Sequence, residues 1–239
     1  RIKEDPRIDG SDLPPAIIHL KDTCGSFAFD YQSIYSPAGL NPDNTGVIGL
    51  DDFDSSWGIW GHNLRKVLGA NTEKVYATIN GKANDSQLCF SSGEMFRLIE
   101  SYITDNFGEK GKFRFVIAPD DTPYACTCPS CTAIGNTEKN ATPAVTELIL
   151  RLSQRFPRHF FFTTSYLTTQ QVTDKQLPPN AGVIVSAINF PLRRIDGKDA
   201  KEKAFAGQLE QWKNVTKNIY IWDYINNFDD YLTPMPILK

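Results

Sequence analysis

Two groups of residues in this chain have types and spacings that suit chemistry. The first is the carboxylate pair Asp120-Asp121, placed directly after the β-former-rich run 113–118 and Pro119. Paired acids at a strand end suit glycosidic bond cleavage: one carboxyl stays protonated as the acid while another orients the nucleophile or stabilises developing positive charge. Pro119-Asp120-Asp121-Thr122-Pro123 is also good turn chemistry. The second group is Cys126, Cys128 and Cys131, a C-x-C-x-x-C in the following loop, with Cys89 ending an earlier apolar run. Four thiolates from two neighbouring strand ends make a closed tetrahedral zinc site that would pin a long loop. Such a site has no open coordination position, so the zinc it predicts is structural, and no cofactor is expected for catalysis. Disulfides and free thiols are the competing readings. The total of five cysteines, Cys24 included, leaves at least one outside any set of intramolecular bridges.

Further polar and aromatic residues fall at the ends of other predicted strands. These are His62 after 58–62, Tyr166 after 160–166, and Trp222, Asp223, Tyr224 and Asn227 at and beyond 218–224. They are expected to hold substrate, although a single histidine is most often structural. Asp223, flanked by Trp222 and Tyr224, needs a partner or solvent access.

The elements that must position these residues alternate in kind. Strands are expected at 16–21, 58–62, 75–79, 87–90, 113–118, 160–166, 182–188 and 218–224. Helices are expected from Ser92 through Ile103, at 142–156 with Pro143 in its first turn, and at 200–212. The stretches 36–39 and 41–44 read as turns. Near-continuous apolar strands alternating with amphipathic helices indicate a parallel sheet covered on both faces. The number of strands favours an α/β fold of the (β/α)8 TIM-type barrel class over an open doubly wound sheet. Residues 1–15, with Pro6, Gly10, Pro14 and Pro15, read as an N-terminal arm, and residues 16–239 as the barrel domain. Active sites of such barrels lie at the carboxyl ends of the strands, which is where the acids stand.

Composition narrows the function further. The chain has 239 residues, 41% of them hydrophobic and 22% charged, which suits one folded domain with a full core. The net charge of −3 comes without a basic block, which argues against nucleic acid as a partner. No run approaches the roughly 18 apolar residues of a membrane span. The 12% aromatic content suits a core and also a pocket that stacks on sugar faces. No G-x-G-x-x-G, P-loop, G-x-S-x-G or H-E-x-x-H motif is present. The sequons at Asn84, Asn140 and Asn214 carry weight only in a eukaryotic secreted protein.

Several segments, in order, carry a resemblance. They are Val75-Tyr76-Ala77-Thr78-Ile79-Asn80-Gly81-Lys82, Gln87-Leu88-Cys89-Phe90, Ala118-Pro119-Asp120-Asp121 with the C-x-C-x-x-C, Tyr220-Ile221-Trp222-Asp223-Tyr224, Asn227-Phe228 and Pro234-Met235-Pro236. Together, from Gly58 onward, they resemble the barrel domain of a large bacterial family of formerly unknown function, some members of which are placed in glycoside hydrolase family 163. The resemblance implies a TIM-type barrel and endo-β-N-acetylglucosaminidase activity on the core of complex N-glycans. It also implies an exported protein, secreted, periplasmic or at the cell surface, whose partner is an oligosaccharide or glycoprotein glycan. The family reads Ser-Pro-Asn-Asp where this chain has Ala118-Pro119-Asp120-Asp121, so only Asp121 matches a family carboxylate directly. The family also continues into an eighth strand where this chain stops, so the barrel is expected to be incomplete or trimmed at its C-terminus, with a catalytic Glu in the missing part as one consequence. The Asp-Asp pair resembles that of retaining hexosaminidases that work by substrate assistance. That likeness assigns Asp120 to orienting the 2-acetamido group and Asp121 to the general acid, with Tyr166 and Asn227 bonding the sugar. A glycan-binding barrel without turnover is the alternative.

Overall fold

The computed structural model describes residues 29–36, 39–191 and 197–224. The predicted arm, the strand expected at 16–21, Cys24 and Asn227 lie outside the described residues. In chain order the elements are α1 (Pro42–Ile48), α2 (Phe53–Ser56), β1 (Trp57–Ile59), α3 (Leu64–Leu68), β2 (Tyr76–Ile79), β3 (Lys82–Leu88), α4 (Gly93–Phe107), β4 (Arg114–Val116), α5 (Pro129–Ala133), α6 (Thr142–Arg155), β5 (Phe160–Ser165), β6 (Ala181–Ser186), α7 (Ala200–Lys213) and β7 (Asn218–Trp222).

Five strands form one parallel sheet in the order β1-β4-β5-β6-β7. The order never reverses, as it would at the switch point of a doubly wound sheet. Successive side chains of a strand point to opposite faces, and the two faces bury different partners. Phe115 and Phe161 pack with Met95, Ile99 and Ile103 of α4 and with Val145, Leu148, Ile149 and Leu152 of α6. Val183 and Val185 pack with Trp212 of α7. On the other face Val116, Phe162 and Ile184 meet Trp57, Tyr220 and Trp222. The inner faces of β1 and β7, the two edges of the described sheet, approach each other: Trp60, just past β1, stacks on Trp222 with centroids 4.9 Å apart at 29°, and Trp57 lies 6.1 Å from Tyr220. The sheet therefore curls around an aromatic interior. Tyr31 sits in it, stacked on Tyr220 at 5.5 Å and accepting a 2.8 Å hydrogen bond from Trp57 Nε1.

The helices form where their ends are satisfied. Ser92 caps α4 by accepting from the Glu94 and Met95 amides, and Asp199 caps α7 through the Lys201 amide. The stretch at 41–44, expected as a turn, opens α1 instead: Asn41 accepts from the Asp43 amide, Pro42 supplies a preset first turn, and Gly49 ends the helix at φ 70°. His159, fully buried, accepts from the Phe113 amide at Nδ1 and reaches the Gly108 carbonyl with Nε2 at 2.7 Å, tying α4 to the entrance of β4.

One expectation needs correction. The runs 75–79 and 87–90 do not enter the parallel sheet; β2 and β3 pair with each other as an antiparallel hairpin. The reason is the Asn80-Gly81 turn, with φ 52° and 73°. Two consecutive positive φ values make the type I′ turn that joins twisted antiparallel strands, and Asn-Gly is the sequence that adopts it. Cys89 accordingly sits at the foot of this hairpin.

Candidate functional site

The predicted acid and substrate residues that the structure describes follow the carboxyl ends of the parallel strands. His62 follows β1, and its Nδ1 is 2.5 Å from the carbonyl of Pro119, the residue before the acids; only a protonated Nδ1 satisfies that contact. Asp120 is held from three sides. Arg65, the second residue of α3, places both Nε and Nη2 2.7 Å from Asp120 Oδ2. The Gln87 side chain, buried at the end of the hairpin, accepts from the Asp120 amide at 3.0 Å and donates to the Asp120 carbonyl at 3.2 Å and to Thr122 Oγ1 at 3.1 Å. Arg65 also reaches the Asp85 carbonyl, so one guanidinium links hairpin and acid. The guanidinium and the carboxylate form a charge-assisted pair.

Asp121 points the other way and is exposed. Tyr166, beyond the end of β5, lies beside it; burial and then this neighbouring carboxylate raise the Tyr166 phenol above its ordinary range, so it stays protonated and can donate. The Tyr166 ring lies 6.0 Å from that of His62. Trp222 lies against Trp60 and covers Gly61. Asp223 is exposed and accepts the Tyr224 amide at 2.8 Å, and Tyr224 is near enough to Tyr166 to raise its phenol further. A cleft of about 780 Å³ opens beside this rim, between the ends of β5 and β6 and helix α7. Ser165, Tyr166, Gln170, Ser186, Phe190 and Gln208 line it. The two acids lie outside its lining, and Tyr166 joins cleft and acids.

The thiols of Cys89, Cys126, Cys128 and Cys131 lie within 4.8 Å of one another and could hold a metal ion. All four are free, with Cys89 Sγ 3.7 Å from Cys128 Sγ and 3.8 Å from Cys131 Sγ. They share protons: hydrogen bonds from Cys131 and Cys89 hold Cys126 far below the usual thiol range, and the same contacts push Cys131 and Cys89 up, Cys89 to about 11.

A family model for a domain of unknown function, DUF4838, matches residues 62–239. The chain belongs to that family. The matched span takes in about three quarters of the sequence, from His62 through the hairpin, both acids, the four clustered cysteines, Tyr166 and Asn227. Comparison with curated proteins and with solved structures gave no match. No described helix is long and apolar enough to cross a membrane.

Two residues of this rim escaped the sequence reading. Arg65 stands three residues past His62, within the first turn after a strand end, and Gln87 is the only polar side chain in the buried end of β3. Replacing Gln87 with Leu removes the clamp on the Asp120 backbone while keeping the volume. The expected result is a folded protein whose thermal midpoint falls by a few degrees, since unsatisfied buried partners cost about 1–3 kcal/mol each. An unchanged midpoint in a melting experiment would show that the clamp contributes nothing.

Proposed function

We propose that this chain is a glycoside hydrolase domain of an exported bacterial protein, built on a (β/α)8 barrel and acting on N-acetylglucosamine-containing glycans as a retaining endo-β-N-acetylglucosaminidase. The observation that carries the reading is the meeting of Asp121 with Tyr166 beside His62, Trp222 and Tyr224, contributed by separate strands at one end of a parallel sheet. The uninterrupted strand order and the contact between the edge strands support the barrel; further strands would come from residues outside the described ones, the run 16–21 among them.

In this reading the 2-acetamido oxygen of the sugar attacks the anomeric carbon as the bond to the leaving oxygen breaks, and Asp121 gives that oxygen its proton. Asp120, paired with Arg65, accepts from the acetamido N–H and stabilises the oxazolinium ion. Water then opens this ion, with the Asp121 carboxylate taking the proton, and configuration is retained. His62, Tyr166, Asp223 and Asn227 bond sugar hydroxyls or the acetamide, and Trp222 and Tyr224 offer ring faces. The expected first product is therefore the β-anomer, seen by proton NMR before mutarotation. The α-anomer would overturn the substrate-assisted mechanism.

One observation favours a second reading. Asp120 Oδ2 already carries the two Arg65 contacts, which suits a carboxylate that only braces the loop. The rim would then belong to a glycan-binding barrel, and incubation would return the oligosaccharide intact and bound.

A further inference from the structure

We infer that Cys89, Cys126, Cys128 and Cys131 bind one tetrahedral zinc ion, and that this ion clasps the β2–β3 hairpin to the loop that follows Asp120 and Asp121. The inference goes beyond the glycosidase reading and does not depend on it.

Geometry carries it. Zinc–thiolate bonds are about 2.3 Å, so a ZnS4 tetrahedron has edges of about 3.8 Å. Cys89 Sγ stands 3.7 and 3.8 Å from the sulfurs of Cys128 and Cys131, and all four sulfurs lie within 4.8 Å. A disulfide needs about 2.05 Å. A multi-iron cluster divides the four thiolates among two or more irons and spreads at least some of the sulfurs beyond a single-ion edge. The surroundings suit thiolates rather than packed thiols. The Thr78 amide donates to Cys126 Sγ at 3.2 Å and the Cys131 amide to Cys128 Sγ at 3.4 Å. Ser91 Oγ lies 3.0 Å from Cys131 Sγ, 3.5 Å from Cys89 Sγ and 3.7 Å from Cys128 Sγ, one hydroxyl shared by three sulfurs. Such donors offset the double negative charge of a zinc tetrathiolate and orient its ligands. Binding releases the thiol protons to solvent.

The clasp joins segments far apart in sequence. Cys89 ends the hairpin, whereas the other three belong to a loop already laced to it by the Thr127 amide on the Thr78 carbonyl at 2.8 Å. Gln87 and Asp120 lie on the same seam. A closed tetrathiolate holds no water for catalysis, so the ion acts by holding this seam together.

Elemental mass spectrometry of the purified full chain should find one zinc per chain, and cobalt exchange should give the intense visible bands of a tetrahedral tetrathiolate. Ser91→Ala, which removes no ligand, should fold and bind zinc about 10- to 100-fold more weakly in a chelator competition. Limited proteolysis after chelation should place new cuts at 122–140. Four free thiols in folded, zinc-free protein, iron in place of zinc, or a mass two units lower per disulfide would overturn the site. Bound zinc with an unchanged cleavage pattern after its removal would overturn the clasp.

Discussion

Asp121→Asn is expected to lower glycan release by about 10²- to 10⁴-fold, the range supplied by a positioned general acid. The loss should fall on kcat with KM little changed, because an amide keeps the shape and the Tyr166 contact but has no proton to give. The leaving group makes the expectation specific. An unactivated sugar leaves as an alkoxide unless it is protonated, so it depends on Asp121. An aryloxide of low pKa leaves without that help, and its release should fall far less. Equal losses on both substrates would remove the acid assignment and return Asp121 to a turn residue. Asp120→Asn tests the other half of the pair, and its reading must allow for Arg65, which loses a partner in that variant.

Trp212→Ala is expected to destabilise the domain by about 3–5 kcal/mol, the cost of truncating a large buried aromatic, and to lower the thermal midpoint by roughly 10 °C. Trp212 is the main anchor of helix α7, with Phe205 and Leu209 packed partly buried beside it. Of its residues only Trp212 and Glu202 are buried, and Trp212, fully enclosed, packs against Val183 and Val185 of β6. Its indole Nε1 donates to Ser165 Oγ at 2.9 Å; the same oxygen accepts from Gln208 Nε2 at 2.7 Å and donates to the Gln170 carbonyl. Trp212→Phe keeps most of the apolar area and leaves Ser165 with Gln208, so its cost should be about 1 kcal/mol beyond the volume change. Urea unfolding of both variants measures the difference. Equal stabilities for Ala and Phe would mean that α7 is held elsewhere. Ser165 and Gln208 also line the cleft beside Tyr166, so the Ala variant should disturb that side of the rim first.

The strands of the parallel sheet and the three long helices were legible because each carries its own period. Met95, Ile99 and Ile103 repeat at helical spacing, and 113–118 and 182–188 are near-continuous apolar runs, broken only by Arg114 and Ser186, of the kind that both-faces burial demands. The hairpin was harder to read. Its strand β3, Lys-Ala-Asn-Asp-Ser-Gln-Leu, is mostly polar and buried only at its end, and the informative signal was the Asn80-Gly81 turn between two runs placed by rhythm in the main sheet. At the rim, aspartates, tyrosine and tryptophan announce themselves by residue type and place after a strand. Arg65 and Gln87 do not, since a guanidinium bracing a carboxylate 55 residues away and an amide clamping a backbone are products of the tertiary fold. Three of the clustered cysteines were legible from the C-x-C-x-x-C spacing, and Cys89 was joined to them from its place at a strand end. What spacing could not supply was the distance between sulfurs, which separates a tetrahedral site from a bridge.

The most direct test of the glycosidase reading is mass spectrometry of a complex N-glycoprotein incubated with this protein and, in parallel, with Asp121→Asn. The expected result is free oligosaccharide ending in a reducing N-acetylglucosamine, with a single N-acetylglucosamine left on the asparagine, both lost in the variant. Intact glycan after incubation with the unsubstituted protein, whether bound or ignored, would contradict it.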